Sequence, residues 1–201
     1  MNETFSTLDA YLRQLPDGLD SFPRCSIKAS VIRDALKSRP LADDPRLPAP
    51  IRAFLESPPP VSSFVPEVLS NSMLLAVYDV HFSALGQKAA WDWLHGTTYQ
   101  LLRTPLYRIL FAVMSPDRLV TGVAQRWGAF RRGSELVITE KRDGLARLRL
   151  VFPDGLHTDL TIYLVSAAFR AALDCSGAKS TDVEVESRSS RQAVFVCRWS
   201  R

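Results

Sequence analysis

Little in this 201-residue chain points to chemistry, and each shortage excludes something. There are three cysteines, Cys25, Cys175 and Cys197, too few and too far apart for a disulfide framework or a thiolate metal cluster. That usage fits a reducing, cytoplasmic setting. The sequence has no Gly-x-Ser-x-Gly elbow, no phosphate loop and no dinucleotide fingerprint. No apolar run approaches the ~20 residues that cross a bilayer. The longest, Val68–Tyr78 and Leu160–Phe169, are helix-sized pieces of core. The opening MNETFSTLDAYLRQLP is acidic and amphipathic, without the basic start and apolar centre of a secretory signal.

Lysine is scarce too: of 25 basic residues, 20 are arginine. Arginine is the better bidentate phosphate binder, which brings nucleic acid into consideration. From Arg126 onward there are 13 basic and 9 acidic residues, and before it 12 of each, so the net +4 lies wholly in the C-terminal part. Four charges spread over that length are a weak electrostatic footprint, and no nucleic-acid partner is expected.

Proline, by contrast, is plentiful and punctuates the first third. Ser6–Leu15 reads as a short amphipathic helix ended by Pro16-Asp17-Gly18. Ile27, Val31, Ile32, Ala35 and Leu36 recur at helical spacing and predict a helix over Ser26–Leu36. After a short helix at Ile51–Leu55, Pro58-Pro59-Pro60 cannot be helix interior and reads as a polyproline strap across 56–66. A helical block follows. Pro66-Glu67 opens a helix that Gly86 closes, a second covers Gln87–Arg103 with Gly96 as its weak spot, and Pro105 starts a third over Leu106–Met114. Ser115-Pro116-Asp117 supplies cap, first-turn proline and acid for a fourth, ending near Trp127-Gly128.

The period then changes to two. Asp143-Gly144 suits a two-residue type I′ hairpin turn, which sets Arg142 opposite Leu145, Glu140 opposite Arg147 and Ile138 opposite Arg149. Strict alternation would put Val137, Thr139, Leu148, Leu150 and Phe152 on one face, and Leu136, Ile138, Glu140, Arg147 and Arg149 on the other. On that reading Arg147 and Arg149 form a solvated face. A helix from Asp159, taken as its cap, to Ser176 follows. Two more strands alternate Val183 and Val185 with Glu184 and Glu186, and Phe195, Cys197 and Trp199 with Val194, Val196 and Arg198. The order β-β-α-β-β argues an α+β fold, its helical block packed on a four-stranded antiparallel sheet. One domain is expected, with residues 1–25 as an extension, 26–128 helical and 129–201 carrying the sheet.

The blocks PEVLSNSMLLAVYD, RTPLYRILFAVMSPDRL, RWGAFRRGSELVI and ARLRLVFPDG resemble a myxobacterial, paralogue-rich family of about this length, for which the resemblance implies no activity. More broadly, the segment IKASVIRDAL, the helices and the closing strand-strand-helix-strand-strand order look like the haem-nitric-oxide-binding, vinyl-reductase-type and vesicle-tethering-subunit superfamily. That likeness implies a module that holds haem, a small molecule or an acyl chain between helices and sheet, or one that assembles with other proteins. The haem branch carries a Tyr-x-Ser-x-Arg motif that this chain lacks, and Ala29 replaces the glycine usual in the opening segment. No cofactor is expected.

Two constellations remain. Asp79, His81, Asp92 and His95 could meet on neighbouring helices as a metal site, although the His pair at i, i+4 typical of zinc helices is missing. No metal is expected there. The better candidate is Trp127 to Gly133, where Arg131 and Arg132, with Arg126 nearby, could clamp an anion as the chain enters the sheet. Trp91, Tyr107, Phe111, Phe169 and Trp127 would then line a pocket between helices and sheet. The expectation is a non-enzymatic module binding a small apolar or amphipathic ligand. The alternative is an interaction module, a homodimer or partner scaffold, using a sheet face with Leu136, Ile138 and Val194.

Overall fold

The computed structural model describes residues 5–105, 107 and 115–200. Apart from Tyr107, the helix read at Leu106–Met114, and with it Phe111, lies outside the described residues. The fold is α+β, as the order of elements implies. Among the described residues six helices lead in or flank the first strands: α1 (Ser6–Gln14), α2 (Ala29–Ser38), α3 (Ala49–Glu56), α4 (Glu67–His81), α5 (Gln87–Leu102) and α6 (Pro116–Gln125). Three short strands, β1 (Ser26–Lys28), β2 (Phe64–Pro66) and β3 (Arg131–Arg132), make an antiparallel sheet of order β2-β1-β3. The second sheet is built from β4 (Glu135–Arg142), β5 (Leu145–Val151), β6 (Ser180–Arg188) and β7 (Gln192–Ser200), in the order β4-β5-β7-β6. Helix α7 (Asp159–Asp174) crosses between its two hairpins.

Helix α4 is central. Its apolar residues Val68, Met73, Leu75, Ala76 and Val77 are fully buried, and so are Ser70, Asn71 and Ser72, which is the all-round burial of a core helix. Helix α1 packs on it through Leu8 and Tyr11, so the segment read as an extension contributes to the core. The side chain of Asp79 on α4 accepts the Thr7 and Leu8 amides at 3.0 Å and so terminates α1 from outside, satisfying donors at the positive end of that helix.

Helix α7 lies on the inner face of the four-stranded sheet, with Ile162, Val165, Phe169 and Leu173 buried. Its cap is Thr158 rather than Asp159. Thr158 accepts the Thr161 amide while the Thr161 hydroxyl accepts the Thr158 amide, a reciprocal box that leaves Asp159 free to pair with Arg188 at 2.6 Å.

Two strand readings change. Ser26–Lys28 is strand and the helix begins at Ala29, because β1 pairs with both β2 and β3 and its backbone is claimed by the small sheet. The hairpin turn sets Arg142 against Leu145 and Glu140 against Arg147 as expected, but a bulge between Ile138 and Glu140 then shifts the register. Ile138 therefore faces Leu148, Leu136 faces Leu150, and Val137 faces Arg149. One extra residue flips every side chain beyond it. Leu136 becomes core, and the apolar outer face of Leu136 and Ile138 that an interface would have used does not exist. The outer face instead carries an ion-pair lattice. Arg147 bridges Glu140 and Glu186, Arg198 bridges Asp182 and Glu184, and Val196 lies fully buried beneath their stems.

Candidate functional site

Among the described residues, aromatic side chains expected to line a pocket between helices and sheet pack against one another. Trp127 and Phe169 are buried with ring centroids 6.1 Å apart, and Phe169 meets Phe195 edge-on at 5.0 Å. Trp91 sits elsewhere along α7, donating its indole N–H to Ser166 Oγ at 2.8 Å. These rings pack in or against the core, while Phe111 lies outside the described residues.

The two adjacent arginines part company because neighbouring residues of a strand point to opposite faces. Arg131 turns inward, stacks over Trp127 at 5.6 Å and pairs through Nη1 with the fully buried Glu67. Its charge is neutralised inside the protein and is not presented to a ligand head group. Arg132 turns outward and lies 3.8 Å over the Phe64 ring. Lys28 sits 4.2 Å from the same ring. Arg126 is exposed at the end of α6.

Behind Arg131 is a buried polar cluster. Glu67, the first residue of α4, has its Oε1 shared by Arg131 and by His157 Nε2 at 3.4 Å. On the other side of the imidazole, Asn71 Nδ2 approaches Nδ1 at 3.4 Å and also donates to Leu156 O at 2.9 Å. With that donor at Nδ1, the imidazole proton belongs on Nε2, facing the carboxylate. Tyr11 closes the group by donating to the same carbonyl at 2.8 Å. Burial by itself would raise the Glu67 pKa, but the Arg131 charge and the contacts with His157 outweigh it and the net shift is downward. Its position at a helix N-terminus favours the anion as well. Burial holds the His157 pKa below its ordinary value, against the pull of Glu67. Burial raises the Tyr11 phenol above its ordinary range.

Catalytic cysteine chemistry has no support. Burial pushes the Cys25 and Cys175 thiols up to about 11 and Cys197 up to about 12, so all three are protonated at neutral pH. The four residues considered for a metal are dispersed. Asp79 is committed to the α1 amides, His81 Nε2 to Pro40 O at 3.0 Å, Asp92 to Lys88, and His95 Nε2 to Asp174 at 2.7 Å. Among the described residues no group of three or more metal-ligating side chains converges.

Among the described residues, one opening runs between α2 and α5. One cleft of about 410 Å³ is walled by Lys28, Ser30, Val61, Ser62, Leu101 and Tyr107. A second, of about 590 Å³, continues from it past Trp93, Gly96 and Thr97. They share Asp34, Lys37, Leu101 and Thr104, so they form one groove. Of the described residues expected at a ligand site, only Tyr107 is in it. Its hydroxyl lies 3.5 Å from Ser30 Oγ. Nothing would touch a Cβ built on Gly96, so the glycine keeps the groove open at mid-helix. Lys28 and Ser30 escape the sequence reading because the helical spacing of Ile27 and Val31 extends the helix over β1. Gly96 does leave a signal, as the weak spot of α5.

No family model matches the chain, and no curated protein matches it either. Solved structures do. An Fe(II) unliganded H-NOX protein from K. algicida, carrying a point mutation, superposes with a TM-score of 0.54 at 8% identity, covering 87% of this chain and 97% of that one. An oxygen-binding H-NOX domain related to soluble guanylate cyclases gives 0.51 at 10% identity, covering 98% and 94%. At these identities the likeness is one of fold.

Proposed function

We propose that this chain is a non-enzymatic, cytoplasmic module, one of the paralogue-rich family its sequence blocks resemble, and that it holds one small amphipathic molecule in the α2–α5 groove. One observation carries the reading. Val61, 46% exposed and one of two large hydrophobics so uncovered among the described residues, borders this groove together with the partly exposed Trp93, Leu101 and Tyr107. Clustered uncovered apolar side chains beside a few polar groups are the ordinary make-up of a ligand site. The solved neighbours support a ligand-binding role in general terms, one being an Fe(II) protein and the other an oxygen-binding domain.

Haem itself does not fit the residues present. A porphyrin iron needs an axial donor, and none of the three histidines is among the residues lining the groove. His95 is also stacked between Trp91, 5.4 Å away, and Tyr99, 6.3 Å away. The His157 side chain is 1% exposed.

The test is fluorescence titration with anilinonaphthalenesulfonate, an apolar anion, against the native chain and Gly96→Leu. Leucine is a better helix former than glycine and would fill the open space, so the variant is expected to keep its melting temperature. Saturable binding that the variant loses supports the groove. Binding of equal strength in both proteins, or none in either, contradicts it.

A further inference from the structure

Resting on that reading, we infer that the groove selects an unbranched carboxylate, with its head at Lys28 and its chain running along α5 towards Trp93. Charge decides the polarity of the ligand. Two ammonium groups border the groove, and Lys37 is paired with Asp34 at 2.7 Å. Lys28 has no carboxylate within ion-pairing distance among the described residues. It gives one hydrogen bond to Ser62 O at 2.6 Å and rests over the Phe64 ring. An ammonium carries three donors, so at least one remains for a ligand oxygen. The hydroxyls of Ser30 and Tyr107 stand in the same part of the groove and offer further donors to a carboxylate. Arg132, on the far strand over the same phenylalanine, adds positive potential without a carboxylate partner among the described residues.

Shape decides the rest. From Trp93 to Leu101 the lining follows one side of α5 for about 12 Å at the helical rise per residue. The lining from α5 is Trp93, Gly96, Thr97 and Leu101 with Gln100 and with Asp92, which is paired to Lys88. No cation without a partner lies along that run, since Lys37 is taken by Asp34. A long, largely apolar trough whose other charges are paired with one another, leaving Lys28 at one end, suits a flexible chain better than a compact ring system.

The experiment uses dodecanoate, dodecanol and dodecyltrimethylammonium below their micelle concentrations, read by intrinsic fluorescence, to which Trp93 in the trough contributes. The expected result is dodecanoate binding about tenfold more tightly than dodecanol, the strength of one charge-assisted hydrogen bond, with the cation weakest. Lys28→Met should erase that preference, and Lys28→Arg should restore it. Gly96→Leu should weaken acid and alcohol alike. Equal binding of acid and alcohol, or an acid preference that survives Lys28→Met, overturns the head-group assignment and leaves the ligand-binding reading standing. Failure of all three amphiphiles to bind, together with failure of the sulfonate probe, overturns both.

Discussion

Glu67 places a carboxylate where water does not reach, and the cluster around it makes the sharpest residue-scale predictions. Removing one partner of a buried pair leaves the other charge uncompensated, which costs about 3–5 kcal/mol. Glu67→Gln should therefore lower the unfolding free energy in urea by that amount, because Arg131, 13% exposed at its side chain, keeps its charge without a counter-ion. Replacing both by apolar residues, Glu67→Leu with Arg131→Met, should recover most of the loss. If the single and double variants are equally unstable, the pair is not the source of the effect. The pH dependence follows from His157. Its folded pKa lies below the ordinary 6.5, so as pH falls through that value the unfolded chain takes up a proton that the folded chain refuses. Stability then declines. Glu67, also lowered, adds a further loss at lower pH as its carboxylate is forced to protonate. The melting temperature should fall between pH 7 and about 5.5, and His157→Asn should flatten that part of the curve. An unchanged slope in the variant would assign the acid sensitivity elsewhere. None of this is legible in the sequence. Glu67 reads as the usual acid of a first helical turn, and whether such a side chain is bathed or buried depends on what packs over it.

At the scale of elements, the strong periodicities and turn residues are legible and the short segments are not. Asp143-Gly144 fixes its turn, and the β-β-α-β-β order follows from alternation on either side of one long apolar helix. The bulge after Ile138 carries no sequence signature that sets it apart from regular strand, yet it decides that Leu136 is core. Strands of two or three residues, such as β1 and β3, have no period to read. Their clue is Gly133, which in the sequence reads as a plain turn. It has φ +77°, and a Cβ there would stand 2.5 Å from Arg24 O and 2.7 Å from Cys25 Sγ. It joins the small sheet to the large one at the closest backbone approach of that corner. Gly133→Ala should cost at least about 1–3 kcal/mol through strain and clash together. The thermal melt would show it, and an unaltered melt would mean the corner yields. Thr158→Ala, which removes the α7 cap, should cost about 1 kcal/mol.

Across the whole molecule, the surfaces divide by kind. The outer face of the large sheet is an arginine–carboxylate lattice, and among the described residues no helix is long and apolar enough to cross a membrane. The small sheet presents Arg132 and Lys28 over Phe64, and the apolar groove opens beside them. The candidate site is thus half legible. Tyr107 and the idea of an outward arginine at Arg132 come from the sequence, whereas the pairing of Arg131 with Glu67 and the proposed α2–α5 groove do not. Tertiary packing decides both, since large aromatics at an interface fill it as readily as they line a cavity. The most direct measurement is mass spectrometry of the natively purified chain under non-denaturing conditions, followed by analysis of its organic extract. The account predicts one small acid retained per chain and lost in Gly96→Leu. A bare mass from both proteins, unchanged after incubation with dodecanoate, would contradict it.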